Sequence, residues 1–380
     1  MTRALAVLFW GSSALIAYTH AGYPLLLWLL SRTATEPAAP AEATPAAAEP
    51  ATVSLIIAAY DEQDVIAAKV RNALALDYPS DRLELIVASD GSSDHTVERA
   101  RAAGAEIVLD LPRGGKIRAQ DAAVRVARGD LLAFSDANSS WAPDALRRLV
   151  APFSDPSVGY VCGQVAFSTG DGTNQEGAYW RYEMAVRLLE SRLAGITAGN
   201  GAIYAVRPEA YLFVDPRMGH DLSLPFNIVK RGRRAIYEPA ARASEKMVPS
   251  IEGEFRRKRR MMSHAWPIVV RGGMLSPRGY PPLYALQIAS HRLLRYATPG
   301  LHLAALASSA ALRRRGRAYA IALWAQAAVL VAAALGGRAR ARPLRLARYY
   351  VLVTASLAAG LWDWLRSGTP AGWEKPEGTR

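Results

Sequence analysis

A single cysteine, Cys162, occurs in 380 residues, which excludes an internal disulfide framework and any multi-cysteine metal site. Its expected role is that of a small buried residue. No repeat of solenoid length is present, so the chain is not a stacked array. Nucleic acid is excluded as the preferred partner despite a formal charge of +13. The basic residues gather beside apolar runs and at Arg256 to Arg260, with no interleaved aromatics to stack on bases. Anionic lipid headgroups suit that distribution better.

Acids, lysine and arginine are all missing from about Ala4 to Leu30. About 20 apolar residues suffice to cross a bilayer core, and Trp10, Tyr18, Tyr23 and Trp28 would sit near its interfaces. A cleaved signal peptide competes with this reading, but the run is long for one and no good cleavage site follows directly. The expectation is an uncleaved anchor over residues 1–30. Ala318 to Leu335 and Tyr349 to Leu365 are further candidate spans. Before them, Leu283 to Leu312 is interrupted by Arg292, Arg295, Pro299 and His302, and reads as an interfacial helix leading into a short span. The arginines at 313–317 and 338–348 conflict as topology signals. The larger second block favours three carboxy-terminal spans and a cytoplasmic catalytic domain on the inner membrane.

Residues 31–51 are almost all Ala, Pro, Thr and Glu and read as a flexible tether. Residues 52–282 are long enough for one packed domain, residues 283–367 hold the interfacial and membrane helices, and residues 368–380 form a polar tail. Within the domain, β-rich runs at Val53–Ala59, Leu83–Ala88, Glu106–Leu109 and Leu131–Phe134 alternate with helical runs. This alternation predicts an α/β fold with parallel βαβ units in a doubly wound sheet. Ligands of such sheets bind beyond the carboxyl ends of the strands, and the polar clusters lie there: Tyr60-Asp61-Glu62, Ser89-Asp90-Gly91-Ser92 and Asp136-Ala137-Asn138.

Those clusters, with Gly114-Gly115-Lys116, Trp180-Arg181-Tyr182-Glu183, Gly199-Asn200-Gly201, His220-Asp221 and Arg256 to Arg260, resemble family 2 glycosyltransferases of the GT-A fold. That group includes cellulose, chitin and hyaluronan synthases, and the resemblance runs from about Val53 to Met262. It implies a mixed sheet with a nucleotide-binding half and an acceptor half. It also implies a divalent metal, Mg²⁺ or Mn²⁺, at Asp136, with Asn138 where the family usually has a second Asp. Ala59, Tyr60, Glu62, Asp90 and Gly91 correspond to residues that hold the base and ribose of a UDP-sugar. Lys116 precedes a helix where phosphate oxygens are favoured, or is simply an exposed loop lysine.

Arg257 and Arg260 would neutralise the donor diphosphate while Lys258 and Arg259 face lipid headgroups. Met261 stands where processive members have Trp, which removes a stacking platform for a polymer end. Trp180, Gly199, Asn200 and Gly201 correspond to the acceptor pocket. Asp221 corresponds to the base that takes the acceptor hydroxyl proton in an inverting transfer, or serves as a helix N-cap. His220 departs from the acid that usually precedes that base.

The implied function is a membrane-bound inverting transfer from a nucleoside-diphosphate sugar to a lipid-linked or polysaccharide acceptor. A non-catalytic sugar-nucleotide-binding scaffold is the rival. A nucleotidyltransferase is disfavoured because Ala59-Tyr60-Asp61-Glu62 lacks the Gly-rich basic loop that such chemistry needs.

Overall fold

The computed structural model describes residues 2–33, 50–168, 176–246, 251–337 and 341–369. Most of the tether and of the polar tail, and Arg338 and Arg340, lie outside them. The chain begins with α1 (Thr2–Ala17) and α2 (Tyr23–Thr33), which a widened turn at Tyr18–Gly22 joins into one rod.

The first half of the sheet is built from β1 (Val53–Ala59), α3 (Ile66–Leu74), β2 (Leu83–Asp90), α4 (Thr96–Ala102), β3 (Ile107–Leu111), α5 (Lys116–Val126) and β4 (Leu131–Asp136). All seven residues of β1 are buried, as a parallel strand covered on both faces requires. Ile56 enters one core cluster while Leu55 and Ile57 enter the other, because successive strand residues point to opposite faces. β1 pairs in parallel with β2 on one side and β4 on the other, with Ala59 opposite Ser89 and Ala58 opposite Asp136. Strand order reverses direction between β1 and β4, so a crevice opens at their carboxyl ends.

The second half adds β5 (Ser140–Trp141), α6 (Ala145–Val150), β6 (Val158–Ser168), α7 (Glu176–Leu193), β7 (Ile203–Val206), α8 (His220–Lys230) and β8 (Arg234–Lys246). The eight strands form one sheet in the order β3-β2-β1-β4-β7-β6-β8-β5. β7 is antiparallel to both β4 and β6, which makes the sheet mixed, as expected from the sequence.

Among the described residues five α-helices follow: α9 (Ile251–Val270), α10 (Pro282–Gln287), α11 (Leu294–Leu312), α12 (Arg317–Leu335) and α13 (Arg342–Ser367). Among the described residues, two helices are long and apolar enough to cross a membrane, Thr2–Thr33 and Arg317–Leu335. The run Tyr349 to Leu365 was expected to be another. It is helical within α13, but this helix lies against α9: Arg259 Nε and Nη2 donate to Asp363 at 2.6 Å each, and Trp266 Nε1 donates to the Leu357 carbonyl at 3.0 Å. Gly360 permits the crossing, since a Cβ there would come within 2.8 Å of the Arg259 carbonyl. The carboxylate of Asp363 and the arginines of its first turns make α13 amphipathic rather than apolar throughout.

Candidate active site

At the carboxyl end of β2, Asp90 is buried and its carboxylate is fully engaged. Oδ1 accepts the amide protons of Gly114 and Gly115 at 2.7 and 2.8 Å, and Arg113 Nη1 donates to Oδ2 at 2.6 Å. The same guanidinium lies 3.3 Å from the centroid of the Tyr60 ring. Gly91 has φ +68°, and a Cβ there would meet the Arg113 backbone nitrogen at 2.7 Å, so this turn requires glycine. Asp61 is the one non-glycine residue with positive φ among those described, at +47°, and its carboxylate accepts the Ser93 amide at 2.7 Å. A left-handed conformation held this way at a strand end is a feature of functional turns. The motif of residues 60–62 and that of residues 89–94 are therefore locked together, and through residues 113–115 to the start of α5.

Ala59 and Glu62, expected at the nucleotide, are almost fully buried behind this turn. Glu62 sits where α3 begins, its carbonyl accepting the amides of Val65 and Ile66 at 3.0 and 2.9 Å. Arg113, which no motif singled out, is exposed instead.

Lys116 begins α5 and its Nζ is ion-paired with Asp136 at the end of β4. A cation held on this carboxylate, with two preceding glycines, makes a site for phosphate oxygens. The residues that follow at this strand end offer oxygen: the Asn138 amide, and Ser139 Oγ, which is buried without a hydrogen-bond partner among the described residues. Among those residues no group of three or more His, Cys, Asp or Glu could hold a metal. Oxygen donors are the type that Mg²⁺ and Mn²⁺ prefer, and of the two residues expected at the metal, Asp136 lines the cleft and Asn138 does not.

Beneath this loop lies Lys69 of α3, 3% exposed, its Nζ 5.1 Å from the Trp141 ring centroid and without a hydrogen-bond acceptor among the described residues. Burial pushes its pKa down to about 7, against the opposing pull of Asp136 and Glu245. An unfolded lysine keeps its proton to about pH 10.4. Between these values the unfolded state binds more protons, so stability contributed at this position rises with pH across that window. Lys69→Met is therefore expected to melt higher than wild type at pH 7, with the difference shrinking towards pH 10 in paired melts. A variant that melts lower at pH 7 would show that the ammonium is held by a partner.

Opposite Lys116, Asp221 stands in the first turn of α8, with Gly219 rather than Asp221 at the N-cap. A Cβ on Gly219 would lie 2.7 Å from Asp221 Oδ1, so this glycine leaves room for the carboxylate. The Asp221 carbonyl accepts the Gly199 amide at 2.7 Å, which ties the base candidate to the turn at residues 199–201. Asn200 braces that turn, donating to the Gly163 carbonyl at 2.7 Å and accepting the Ile203 amide at 3.0 Å. Burial raises the Asp221 pKa, and Lys116 opposes the rise.

His220 lines the floor of the cleft but is almost fully buried. Its ring nitrogens lie 3.0 Å from Tyr204 Oη and 3.3 Å from Tyr211 Oη, within an aromatic stack in which the Phe134 and Tyr204 centroids are 4.6 Å apart. Burial pulls its pKa down to about 3, so it is a neutral brace beneath Asp221.

These parts line one cleft of about 510 Å³. Of the sequence-derived candidates, Lys116, Asp136, Trp180, Gly199, Asn200, Gly201, Asp221, Arg257 and Arg260 line it; Ala59, Tyr60, Glu62, Asp90, Gly91 and Asn138 do not. Trp180 reaches the wall by donating Nε1 to the Val165 carbonyl at 2.9 Å. α9 contributes Arg257, which donates to Glu254 at 2.7 and 2.8 Å, and Lys258, paired with Glu254 at 2.9 Å. Lys258 thus lines the cleft and Arg259 binds Asp363, instead of both facing headgroups, because α13 covers that side of α9.

Glu183, from the motif at residues 180–183, lines the cleft and accepts from Arg295 at 2.6 Å. Behind the cleft wall, His291 Nδ1 lies 2.9 Å from Glu190, a pair that no motif pointed to. Tyr23 of α2 donates to Glu190 at 2.6 Å, so α2, α7 and the turn before α11 meet in one buried polar knot. Burial alone would raise the Glu190 pKa, but His291 and Arg292 hold it below the ordinary range. An arginine spaced three residues from another at positions 292 and 295, inside an otherwise apolar run, was the available signal.

The profile described as Glycosyl transferase family 2 matches residues 54–209. A β-monoglucosyldiacylglycerol synthase of Synechocystis sp. is 32% identical over 162 residues, 40% of this chain and 33% of the relative. An N-acetylglucosaminyltransferase of Mesorhizobium japonicum is 27% identical over 244 residues, 58% of this chain and 57% of the relative. The chain thus spans between a third and three fifths of these relatives. Among solved structures, a mannosyltransferase of Pyrobaculum calidifontis in complex with GDP-Man and Mn²⁺ superposes with a TM-score of 0.70 at 24% identity. That superposition covers 96% of this chain and 99% of the other, and it shows a shared fold. With its motifs gathered at the strand ends of a mixed α/β sheet, the chain is similar over residues 54–209 to glycosyl transferase family 2.

Proposed function

We propose that this protein transfers a sugar from a nucleoside-diphosphate sugar, a UDP-sugar, to a lipid-linked or polysaccharide acceptor, with inversion at the anomeric carbon. The observation that carries the reading is the shared cleft lined by Lys116 and Asp136 on one side and Asp221 on the other. The acceptor hydroxyl oxygen attacks the anomeric carbon and Asp221 takes its proton. The bond from that carbon to the β-phosphate oxygen breaks, and the nucleoside diphosphate leaves with the electron pair. Lys116 offsets the negative charge that develops on the leaving group. A divalent cation would be held by Asp136 and Asn138, and would supply further countercharge to the diphosphate.

A buried carboxylate with a raised pKa is the stronger base, so the activity should fall on acidification through a limb above the ordinary aspartate value. Tyr60, with Asp90 and Gly91 behind it, would receive the base once the Arg113 guanidinium yields the ring face. The apolar lengths of Thr2–Thr33 and Arg317–Leu335 support a multi-pass membrane location; the larger arginine block at 338–348 favours the inner membrane with the sheet domain on the cytoplasmic side.

A thermal-shift screen of UDP- and GDP-sugars with Mn²⁺, on the full chain in detergent, tests the reading. One donor is expected to raise the melting temperature with increasing concentration, and to release nucleoside diphosphate slowly. Pyrophosphate release instead would select a nucleotidyltransferase, and donor binding without any turnover would select a scaffold.

A further inference from the structure

We propose that the acceptor is an anionic lipid whose phosphate is gripped by Arg187 and Arg292, with its hydrocarbon along the α9 and α13 wall of the cleft. This rests on the transferase reading above and names the acceptor class for it. Lys and Arg outnumber Asp and Glu by eight to four among the described lining residues. The donor diphosphate accounts for the cations at the Lys116 end. Arg295 is neutralised by Glu183 and Arg257 by Glu254.

Arg187 and Arg292 are different. Arg187 is only 9% exposed, donates to the Gly199 carbonyl at 3.1 Å and lies 5.6 Å from the Tyr237 ring centroid. Arg292 donates Nε to Thr197 Oγ1 at 2.9 Å. Neither forms an ion pair among the described residues. Glu183 and Glu190 act on these arginines only from beyond ion-pairing distance, so two guanidiniums whose close partners are neutral groups line one cleft, and their planar forks suit the oxygens of a phosphate. Both reach the turn at residues 197–199, whose Gly199 amide bonds the Asp221 carbonyl, so the anion would sit beside the base candidate.

Beyond the two arginines the wall turns apolar, through Met262, Ala265, Ile268, Val353 and Leu357. Those side chains belong to the helices that pack against each other at Gly360. A soluble glycan would leave this apolar surface facing water, and a neutral lipid would make no charge-assisted contact with the two guanidiniums. A phosphate-bearing headgroup with an alkyl tail satisfies both.

The test uses the full chain in non-ionic detergent, without donor. Dioctanoyl phosphatidylglycerol, dioctanoylglycerol and inorganic phosphate are titrated separately, and melting temperature and native mass spectra are recorded. Phosphatidylglycerol is expected to stabilise saturably and to remain bound, while the other two do not. Arg187→Gln and Arg292→Gln should each weaken that binding roughly tenfold or more, the loss of one charge-assisted contact, whereas Arg314→Gln in the exposed α11–α12 loop should not. Equal stabilisation by dioctanoylglycerol, or unchanged binding in both cleft variants, would overturn the proposal. Protection by inorganic phosphate alone would reduce the site to a phosphate subsite and also overturn the lipid assignment. Should the variants not fold, the comparison of the three ligands on wild type decides. Stabilisation by a donor sugar with Mn²⁺, run in parallel, separates the two readings: its persistence alongside a failed lipid response removes the acceptor class alone.

Discussion

Asp221→Asn is expected to lower sugar transfer by roughly 10²–10⁴-fold, the range for losing a general base, while the protein still folds and binds donor. Asparagine keeps the volume beside Gly219 and the position in the first turn of α8, so the aromatic floor of Phe134, Tyr204 and His220 is left in place. What disappears is the proton acceptor. Burial raises the Asp221 pKa, so in wild type the rate should climb with pH as this group deprotonates, and in the variant that acidic limb should vanish. Turnover of labelled donor by purified wild type and variant, across pH, reads both effects. Undiminished turnover by Asp221→Asn would remove this residue from the base role.

Asp136→Ala should be nearly as severe, with a loss of about 10²–10³-fold in turnover, and should fail at an earlier step. Its carboxylate is the ion-pair partner of Lys116 and the one charged oxygen donor among the candidates for the cation. Without it, Mn²⁺ should no longer tighten binding of the nucleoside diphosphate, although Lys116 remains to attract the phosphates. Calorimetric titration of UDP with and without Mn²⁺ distinguishes this from a folding defect: wild type should show a metal-dependent gain and the variant none. Because both Lys116 and Asp136 are partly exposed, breaking their ion pair should change thermal stability little. A variant that kept its metal response would place the cation elsewhere.

The parallel half of the domain was legible because its signals are local. Val53–Ala59 and Leu131–Asp136 are mostly apolar, strand-forming runs, the first followed by Tyr60-Asp61 and the second closing on Ser135-Asp136, and the strands lie where those runs lie. The glycines at 91, 115 and 199 were legible as turns. Other residues were not. Glu62, Asp90 and Asn138 have the residue types of a site but do not line the cleft, because exposure depends on which neighbouring loop closes over a strand end. Arg113, Arg187 and Arg292 have no motif, and acquire meaning only from what surrounds them. The behaviour of α13 was hidden for the same reason: its Asp363 looks like a flaw in an apolar run until Arg259 is found opposite.

Taken alone, the amino-acid order determined the alternation of strands and helices, the acid-bearing turns at strand ends and the two apolar rods. Each follows from residues a few positions apart, where backbone propensity and side-chain periodicity act. Only the tertiary structure decided that Lys116 neutralises Asp136, that His220 is a buried brace, and that two arginines from α7 and the turn before α11 share one cleft with Asp221. These relations join residues up to about a hundred positions apart, and burial and electrostatic pairing at that range depend on which surfaces the packed sheet brings face to face.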